Sequence, residues 1–565
     1  MSIQPSKSKM EEDWSDPAWP PGTVRLELLN TGSNAEIVLL PRPTLDPNDP
    51  LNWPKWRKYL NFGLACFYAL MVFAQFNASS PTWGPLQTEL GFSDAVLNDT
   101  WAIGCATLAI GSVVMIPFAL KYGLRSIYIL STAATMLVMV WAAKTQTAGD
   151  WWGVNVLQCF LGSLAEVMVQ ITVADLFFIH QRGLMNSIYI WTAQTGSNLA
   201  PVAAGFITSS QGWRWVWWYF VIFFGITLVM LMFGFQESKF DWMAALQEET
   251  ISPSSTPSVI IDGVDEKSYQ DKPLKEEPLN KDPENIAEEK RPRNLSVIAI
   301  DTTIKRKSYW QTLSFVTTSA GDWSTFFRHT WQPFWILATV PGIAYSSCVY
   351  AVLLAWSTVM TSALSTYMLD PPYNFSSTSI GLMNLAPFIG TTLGSLICGP
   401  VSDWMVLRLA RRKGGVYEPE MRLYCFVPFI PFQVAGAFWF GYALKQGQSW
   451  VCVAVAFGLC NFGSAPLQSI ALTYITDAYN EIVGDALVSL TFVRNMLSTI
   501  FVFAMVPWVN AVGVANVFNT IGAIGLVVLL FSFAFIWKGK HWRYICARRY
   551  KFFAARQFEP RPVKN

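Results

Sequence analysis

The feature that most constrains this chain is a series of twelve apolar runs, each long enough to cross a bilayer as a helix. Spanning about 30 Å of hydrocarbon takes about 20 mostly apolar residues at 1.5 Å of rise per residue. Only 14% of the residues are charged and 52% are apolar, which excludes an ordinary soluble protein. The runs cover residues 59–79, 97–119, 126–144, 152–174, 185–209, 214–235, 335–358, 378–401, 423–444, 450–474, 486–509 and 514–537. The sequence therefore predicts an all-α membrane protein with six spans on each side of one long interruption.

That interruption divides the chain. As far as about residue 300 it is rich in acidic residues, Pro and Ser, a composition typical of disorder. We predict five parts: a cytosolic N-terminal segment 1–58, a six-helix bundle 59–236, a largely disordered cytosolic linker 237–330, a second six-helix bundle 331–537 and a basic cytosolic tail 538–565. Within the linker, the aromatic stretch 305–328 predicts either an amphipathic helix at the membrane interface or a loop packed beneath the bundles.

Lys and Arg are concentrated in the short loops on one side of the predicted bundle. These residues are Lys121, Arg125, Arg182, Arg408, Arg411, Arg412, Lys413 and Arg422. The excess of positive charge in cytoplasmic loops places this side, and with it both termini, in the cytosol. The tripeptide Asn374-Phe375-Ser376 then lies in an exterior loop, so Asn374 is a candidate glycosylation site.

The two six-span halves share similar residues at equivalent positions, which indicates a duplication. The fourth run ends in Thr172-Val173-Ala174-Asp175 and the tenth in Tyr474-Ile475-Thr476-Asp477. The offset of 302 residues between the two aspartates (477 − 175) also superposes Phe160 on Phe462. Parallel repeats of this kind occur in transporters whose substrate site lies at the membrane midplane between the two halves.

Two ionisable residues lie deep within the runs, Glu166 in the fourth and Arg494 in the eleventh. A charge inside the membrane is costly, so each is a candidate functional residue. Burial disfavours the charged form of a carboxyl group and a nearby cation favours it. That competition would let Glu166 bind either a cationic solute or a proton. The alternative is a structural Glu166–Arg494 pair that only stabilises helix packing.

Polar side chains in other runs are candidates for the rest of this site. The repeat places Gln468 at the position equivalent to Glu166, and Gln194 and Asn198 share one face of the fifth run because they lie four residues apart. Further isolated amides are Gln75, Asn384 and Asn461. For each amide, a helix–helix hydrogen bond is the alternative interpretation.

Two aromatic residues of the seventh run, Tyr345 and Trp356, lie three helical turns apart and so share a face. They predict a cation–π wall for an organic cation. Packing against lipid or neighbouring helices is the alternative.

Several motifs carry a family resemblance. They are the segment 47–58 before the first run, His180-Gln181-Arg182-Gly183 before the fifth, Ser402-Asp403-Trp404 with Arg411-Arg412 after the eighth, and the fifth-run stretch 196–205. In these the chain resembles fungal members of the major facilitator superfamily, in the twelve-span drug:proton antiporter group and the branch of the yeast histidinol and polyamine transporter. The resemblance implies the major facilitator fold of two six-helix bundles.

The resemblance also implies roles for particular residues. Gly196, Pro201 and Gly205 match the family's antiporter motif. Lys121, Gly123 and Arg125 match the gating motif between the second and third spans. The acidic residue that this motif normally carries is absent, whereas Asp403 is present in the second-half equivalent.

Together these features predict a secondary active transporter of small organic, cationic or amphiphilic solutes that works by proton-coupled alternating access, as an exporting antiporter. The alternatives are a proton-coupled importer of polyamines or amino-alcohols and, in another class, a non-transporting nutrient sensor. No nucleotide-binding motif supports transport driven by ATP. We expect no enzymatic activity, because the His residues 180, 329 and 541 lie outside the deep parts of the runs, which argues against a His-dependent acyltransferase or a di-iron site.

The same features define the expected partners. The nine cysteines form no C-x-x-C pair, so we expect neither a metal nor any cofactor beyond the proton gradient. The net charge of +2 excludes a broadly basic nucleic-acid binder. We expect a monomer whose partners are its solute, protons and the lipid bilayer, in the plasma membrane or alternatively the vacuolar membrane.

Overall fold

The computed structural model describes residues 20–25, 27–28, 36–37, 41, 43–240, 242, 258–260, 298–300, 304–315, 323–368 and 371–557. Within these residues the chain forms twelve membrane-length helical units, here numbered as spans. The first half contains span 1 (Lys55–Asn77), span 2 (Asp94–Tyr122), span 3 (Leu124–Ala143), span 4 (Ala148–Leu176), span 5 (Ile179–Gln211) and span 6 (Trp213–Gly234). The second half contains span 7 (Pro341–Tyr367), span 8 (377–412), span 9 (420–445), span 10 (Trp450–Ala478), span 11 (Val483–Val512) and span 12 (Val514–Leu530).

Ten of the described helical units are long and apolar enough to cross a membrane, and span 9 is an eleventh that bends by 40° at a break. Span 5 completes the twelve as an unbroken 33-residue helix in which Gln, Ser, Thr and Asn dilute the apolar residues. The predicted fold, an all-α multi-pass membrane protein of two six-helix halves, is confirmed.

The spans differ from the predicted runs where special residues interrupt a helix. Span 7 begins at Pro341, not at residue 335, because Val340 is extended and proline occupies the first helical position. The preceding amphipathic helix lies at Trp323–Thr339 and so only begins within the predicted stretch 305–328. The described residues 305–315 of that stretch hold one short helix, Tyr309–Thr312. Span 12 ends at Leu530, and a separate helix, Ser532–Ala554, follows it.

The remaining elements are short. They are the helix Trp83–Leu90, the 3-10 turns Pro50–Asn52, Ser80–Thr82 and Asn480–Ile482, and three antiparallel strand pairs. The strand pairs are Val24–Arg25 with Val416–Tyr417, Glu27–Leu28 with Glu36–Ile37, and Ser258–Ile260 with Ile298–Ile300.

The halves meet along span 2 with span 11 and along span 5 with span 8. We call the side of the bundle that carries the loops 176–179, 413–419 and 478–483 the terminal face, because the N-terminal segment and the helix after span 12 also pack there. A continuous apolar core fills the first half and the terminal ends of spans 7, 10 and 11. A second core around Trp356 and Phe518 fills the part of the second half nearer the opposite face.

Candidate functional site

A central cavity lies between the two halves, with about 1020 Å³ of empty space when its opening to solvent is included. Spans 1, 2, 4 and 5 line it from one side and spans 7, 8, 10 and 11 from the other. Among the predicted residues, its lining includes Glu166, Gln194, Asn198, Asn384, Gln468 and Arg494. Because both halves contribute, any movement of one half against the other changes the shape of this cavity.

The deepest charges in the membrane form an ion pair at the wall of this cavity. The Glu166 carboxylate contacts the Arg494 guanidinium, and the two side chains are 2% and 3% exposed. Asn495 Nδ2 donates a second hydrogen bond to Glu166 Oε2 at 2.7 Å, and the Tyr350 ring lies 5.3 Å from Arg494 Cζ. Glu166 therefore both lines the cavity and pairs with Arg494. The pair joins span 4 of the first half to span 11 of the second.

The local structure of span 4 sets the position of Glu166. The α-helix ends at Gly162, residues Ser163–Glu166 form a 3-10 turn, and the helix resumes at Met168. Span 2 approaches this break closely, since a Cβ built at Gly111 would lie 2.6 Å from the Phe160 carbonyl oxygen. A tighter turn changes the direction of the side chain relative to a continuous α-helix, so the break determines which way Glu166 points.

Three amides leave hydrogen-bonding capacity unused at the cavity wall. Gln468 Nε2, Asn198 Nδ2 and Gln158 Oε1 have no hydrogen-bond partner among the described residues, and the three residues are 2%, 8% and 2% exposed. A buried polar group without a partner costs about 1–3 kcal/mol. Two donors and one acceptor are thus available to a polar solute or to water in the cavity.

Four predicted site residues lie outside the cavity lining. The Tyr345 ring stacks on Phe535 at 4.3 Å between centroids, and Trp356 packs on Phe501 at 4.8 Å. Asn461 donates to the Phe457 carbonyl of its own helix. Gln75 is fully buried, and its side-chain amide has no hydrogen-bond partner among the described residues.

The face of span 7 that lines the cavity differs from the one predicted. It carries Tyr350, Leu354, Ser357, Thr358 and Thr361. Tyr350 lies five residues after Tyr345 and is therefore rotated by about 140° around the helix. The predicted aromatic wall of Tyr345 and Trp356 is corrected accordingly: the ring beside the charge pair is that of Tyr350.

The sequence reasoning also missed Gln158 and Asn495. A signal existed for both, since Gln158 precedes Glu166 by two turns in the same apolar run and Asn495 is adjacent to Arg494. Polar residues close to an intramembrane charge are candidates for its hydrogen-bond partners.

A polar latch joins the halves between the cavity and the terminal face. Asp477 of span 10 accepts hydrogen bonds from Arg422 Nε at 2.6 Å and from the Tyr417 hydroxyl at 2.7 Å, and it lies 3.9 Å from Arg182 of span 5. Arg182 also donates to Asn480 at 3.0 Å. Nearer the cavity, Asn186 donates to Thr473 and Ser187 pairs with Ser469 across the same interface.

Asp403, the acidic residue of the second-half gating motif, takes part in this latch. One carboxylate oxygen accepts from Arg422 at 3.0 Å, and the other accepts from the backbone N–H of Leu184 in span 5 at 3.0 Å. Asp403 therefore connects span 8 to the opposite half.

The first-half motif makes a different set of contacts. Glu237, just after span 6, accepts from the backbone N–H groups of Leu124 and Arg125 at 3.3 and 3.0 Å. Gly123 has φ +96°, and a Cβ there would lie 2.5 Å from Glu237 Oε2. Arg125 itself donates to the carbonyl oxygens of Met232, Phe235 and Leu313. The carboxylate beside this motif thus comes from the end of span 6 in the same half, and Lys121 Nζ lies 4.0 Å from the Trp323 ring.

Fifth-span motif residues bring helices close together. A Cβ built at Gly196 would lie 2.3 Å from the Leu70 carbonyl oxygen of span 1, and one at Gly381 of span 8 would lie 2.7 Å from the Pro201 carbonyl oxygen. Gly205 is buried on the same helix. Asn374 is exposed in the loop between spans 7 and 8, so its glycosylation stays a prediction.

Comparison with known proteins agrees with this architecture. Residues 64–502 match the family model described as Major Facilitator Superfamily. An uncharacterized MFS-type transporter of Schizosaccharomyces pombe is 30% identical over 528 residues, covering 92% of this chain and 90% of that protein. Protein HOL1 of Saccharomyces cerevisiae is 28% identical over 560 residues, covering 92% of each.

A solved structure has the same fold. The proton:xylose symporter XylE superposes with a TM-score of 0.55 at 14% identity, covering 86% of this chain and 97% of that one. With the family match over most of its length and twelve spans arranged around a central cavity, this chain belongs to the major facilitator superfamily.

Proposed function

We propose that this protein is a secondary active transporter that moves small organic cations by proton-coupled alternating access, as an exporting antiporter working as a monomer. The observation that carries the proposal is the buried carboxylate of Glu166 in a cavity shared by both halves. In the membrane, an ionisable group facing a cavity marks a substrate or ion path more often than a packing device.

Any incoming cation competes with the guanidinium of Arg494 for the Glu166 carboxylate. A proton that binds Glu166 removes the charge that Arg494 compensates, and a cationic solute at the same oxygens displaces Arg494. Either event weakens the link between span 4 and span 11, and with it the contact between halves. Proton and solute thereby compete for one site, which is the requirement for exchange.

The rest of the lining suits an organic cation of modest size. Tyr350, Trp101, Phe73 and Phe76 present aromatic rings to the cavity, and such rings attract ammonium groups. The unused amide donors and acceptor provide hydrogen bonds for hydroxyl or amine groups on the same solute. We place the terminal face in the cytosol, because the basic short loops lie on this side, and we propose the plasma membrane as the location.

The test is flux into sealed proteoliposomes under an imposed pH gradient, with polyamines, histidinol-like amines and lipophilic cations as solutes. Glu166→Gln is expected to abolish the gradient-driven component. The matched control is Glu89→Gln, which removes a carboxylate that is paired with Arg214 at 2.9 Å outside the cavity. Unchanged flux in Glu166→Gln would refute the central-carboxylate mechanism, and reversing the gradient separates export from import.

A further inference from the structure

Two described parts of the N-terminal segment, residues 20–25 and residues 43–54, contact different halves of the protein at the terminal face. Its residues 43–54 belong to the first half, since they run directly into span 1. There Asp49 accepts from the backbone N–H groups of Thr44 and Leu51 at 2.8 Å each, and Lys58 Nζ of span 1 donates to the Leu51 carbonyl at 2.8 Å. The turn Pro50–Asn52 also packs on the terminal end of span 4.

Residues 20–25 bind the second half instead. Val24–Arg25 pair as an antiparallel strand with Val416–Tyr417 in the loop between spans 8 and 9. Arg543, in the helix after span 12, donates to the Thr23 hydroxyl at 3.1 Å and contacts the Pro21 carbonyl. The same guanidinium makes a bidentate pair with Glu420 at 2.7 and 2.6 Å and is 1% exposed.

Two features show how closely residues 22–24 are packed, on the second half at Gly22 and between the halves at Val24. Gly22 has φ +83°, and a Cβ there would lie 2.8 Å from both Cα and the carbonyl oxygen of Ala478, the residue after Asp477 of the latch. Val24 is 7% exposed in an apolar cluster that contains Ile179 of the first half and Tyr417 of the second.

We propose that residues 20–25 act as a strap that holds the terminal face closed and that must release either Ile179 or the loop 413–419 before this face opens. The inference rests on the proposed alternating access, in which the halves separate at one face and then at the other. One end of the segment is continuous with span 1 and the other is bonded to the second half. Val24 of this strand also packs in one apolar cluster with Ile179 of the first half. Separating the halves at this face therefore breaks either that packing or the strand and Arg543 contacts with the second half.

The first test compares two glycine substitutions in a chain that carries Ser469→Cys as a reporter. Ser469 is buried between the halves, 2.8 Å from Ser187. Gly22→Ala places a methyl group against Ala478. The control, Gly513→Ala, has a nearly equal φ of +81° with no atom within 4 Å. We expect a membrane-impermeant maleimide, added from the terminal side, to label the reporter about tenfold faster in Gly22→Ala, the effect of losing one or two net hydrogen bonds to the strap. Equal labelling rates in the two variants would overturn the proposal.

Truncation provides a second test if Gly22→Ala does not fold. Removing residues 2–19 leaves the strap in place, whereas removing residues 2–25 deletes it. Only the longer deletion is expected to accelerate labelling of the reporter; equal acceleration by both, or by neither, contradicts the strap. Flux is measured separately on the same samples. If the strap variants change the labelling rate but neither they nor the parent chain show flux, the result counts against the transport proposal. If flux is normal and the strap variants do not change the labelling rate, the result counts against the strap alone.

Discussion

Removing either member of the Glu166–Arg494 pair is expected to destabilise the protein and stop gradient-driven transport. Removing both is expected to restore stability but not transport. Each side chain is at most 3% exposed, and breaking a buried ion pair from one side costs about 3–5 kcal/mol because an uncompensated charge remains. Glu166→Gln leaves Arg494 without a countercharge. Arg494→Gln leaves the carboxylate with a single described hydrogen bond, from Asn495. The double substitution Glu166→Gln/Arg494→Gln buries no charge, so we expect its loss of stability to be well below the sum of the two single losses.

The measurement is a double-mutant cycle on unfolding of the purified protein in one detergent, with flux recorded from the same four preparations. The cycle isolates the interaction between the two side chains. If the pair only stabilises packing, the double variant regains both stability and flux. If Glu166 binds the proton or the solute, it regains stability without flux. Gradient-driven flux at the parent rate in the double variant would therefore refute the mechanism. Additive stability losses would show that the buried pair does not form.

Three further predictions concern the terminal face. Gly123→Ala is expected to lower stability more than Gly212→Ala, although their φ values are +96° and +95°, because only the first places a methyl group against Glu237 while the second meets no atom within 4 Å; thermal unfolding of both variants checks this, and equal shifts would contradict it. Asp477→Asn removes the carboxylate between Arg182 and Arg422, of which Arg422 keeps its pair with Asp403, and breaking such a buried pair costs about 3–5 kcal/mol; labelling of a cysteine reporter at the latch from the terminal side should accelerate, and an unchanged rate would contradict the latch. Burial raises the pKa of Asp49 to about 6 in spite of its hydrogen bonds, so its carboxyl group binds a proton more tightly in the folded segment than in the unfolded one. The stability of the folded segment should therefore fall as the pH rises from about 4 to about 6. Hydrogen exchange corrected for intrinsic rates measures this fall, which Asp49→Asn should abolish.

Much of the candidate site was predictable because charges are rare in the spans. Glu166 and Arg494 are conspicuous in apolar runs, and a four-residue spacing on a continuous helix placed Gln194 and Asn198 on one face, where the structure also has them. Tyr345 and Trp356 show the limit of this reasoning. Their spacing establishes that they share a face, but the rotation of span 7 in the bundle decides which face meets the cavity. That rotation depends on packing against spans 10 and 11, which a single helix does not encode.

The gating motif shows a second limit. The motif between spans 2 and 3 lacks the acidic residue that the family resemblance implies there. In the folded protein Glu237 reaches the start of span 3, more than a hundred residues away along the chain. A carboxylate from any element that approaches a helix N-terminus can accept hydrogen bonds from its backbone N–H groups. The sequence around the motif therefore does not reveal which carboxylate lies there.

Run length and the distribution of charge were sufficient to establish a twelve-span membrane protein in two halves and to single out Glu166, because the cost of placing polar groups in hydrocarbon acts on each segment separately. Which charges pair, which amides face the cavity, and how residues 20–25 reach the loop 413–419 were decided only by the tertiary structure. These contacts join residues hundreds of positions apart, and their energies depend on distances and orientations that exist only once the helices have packed.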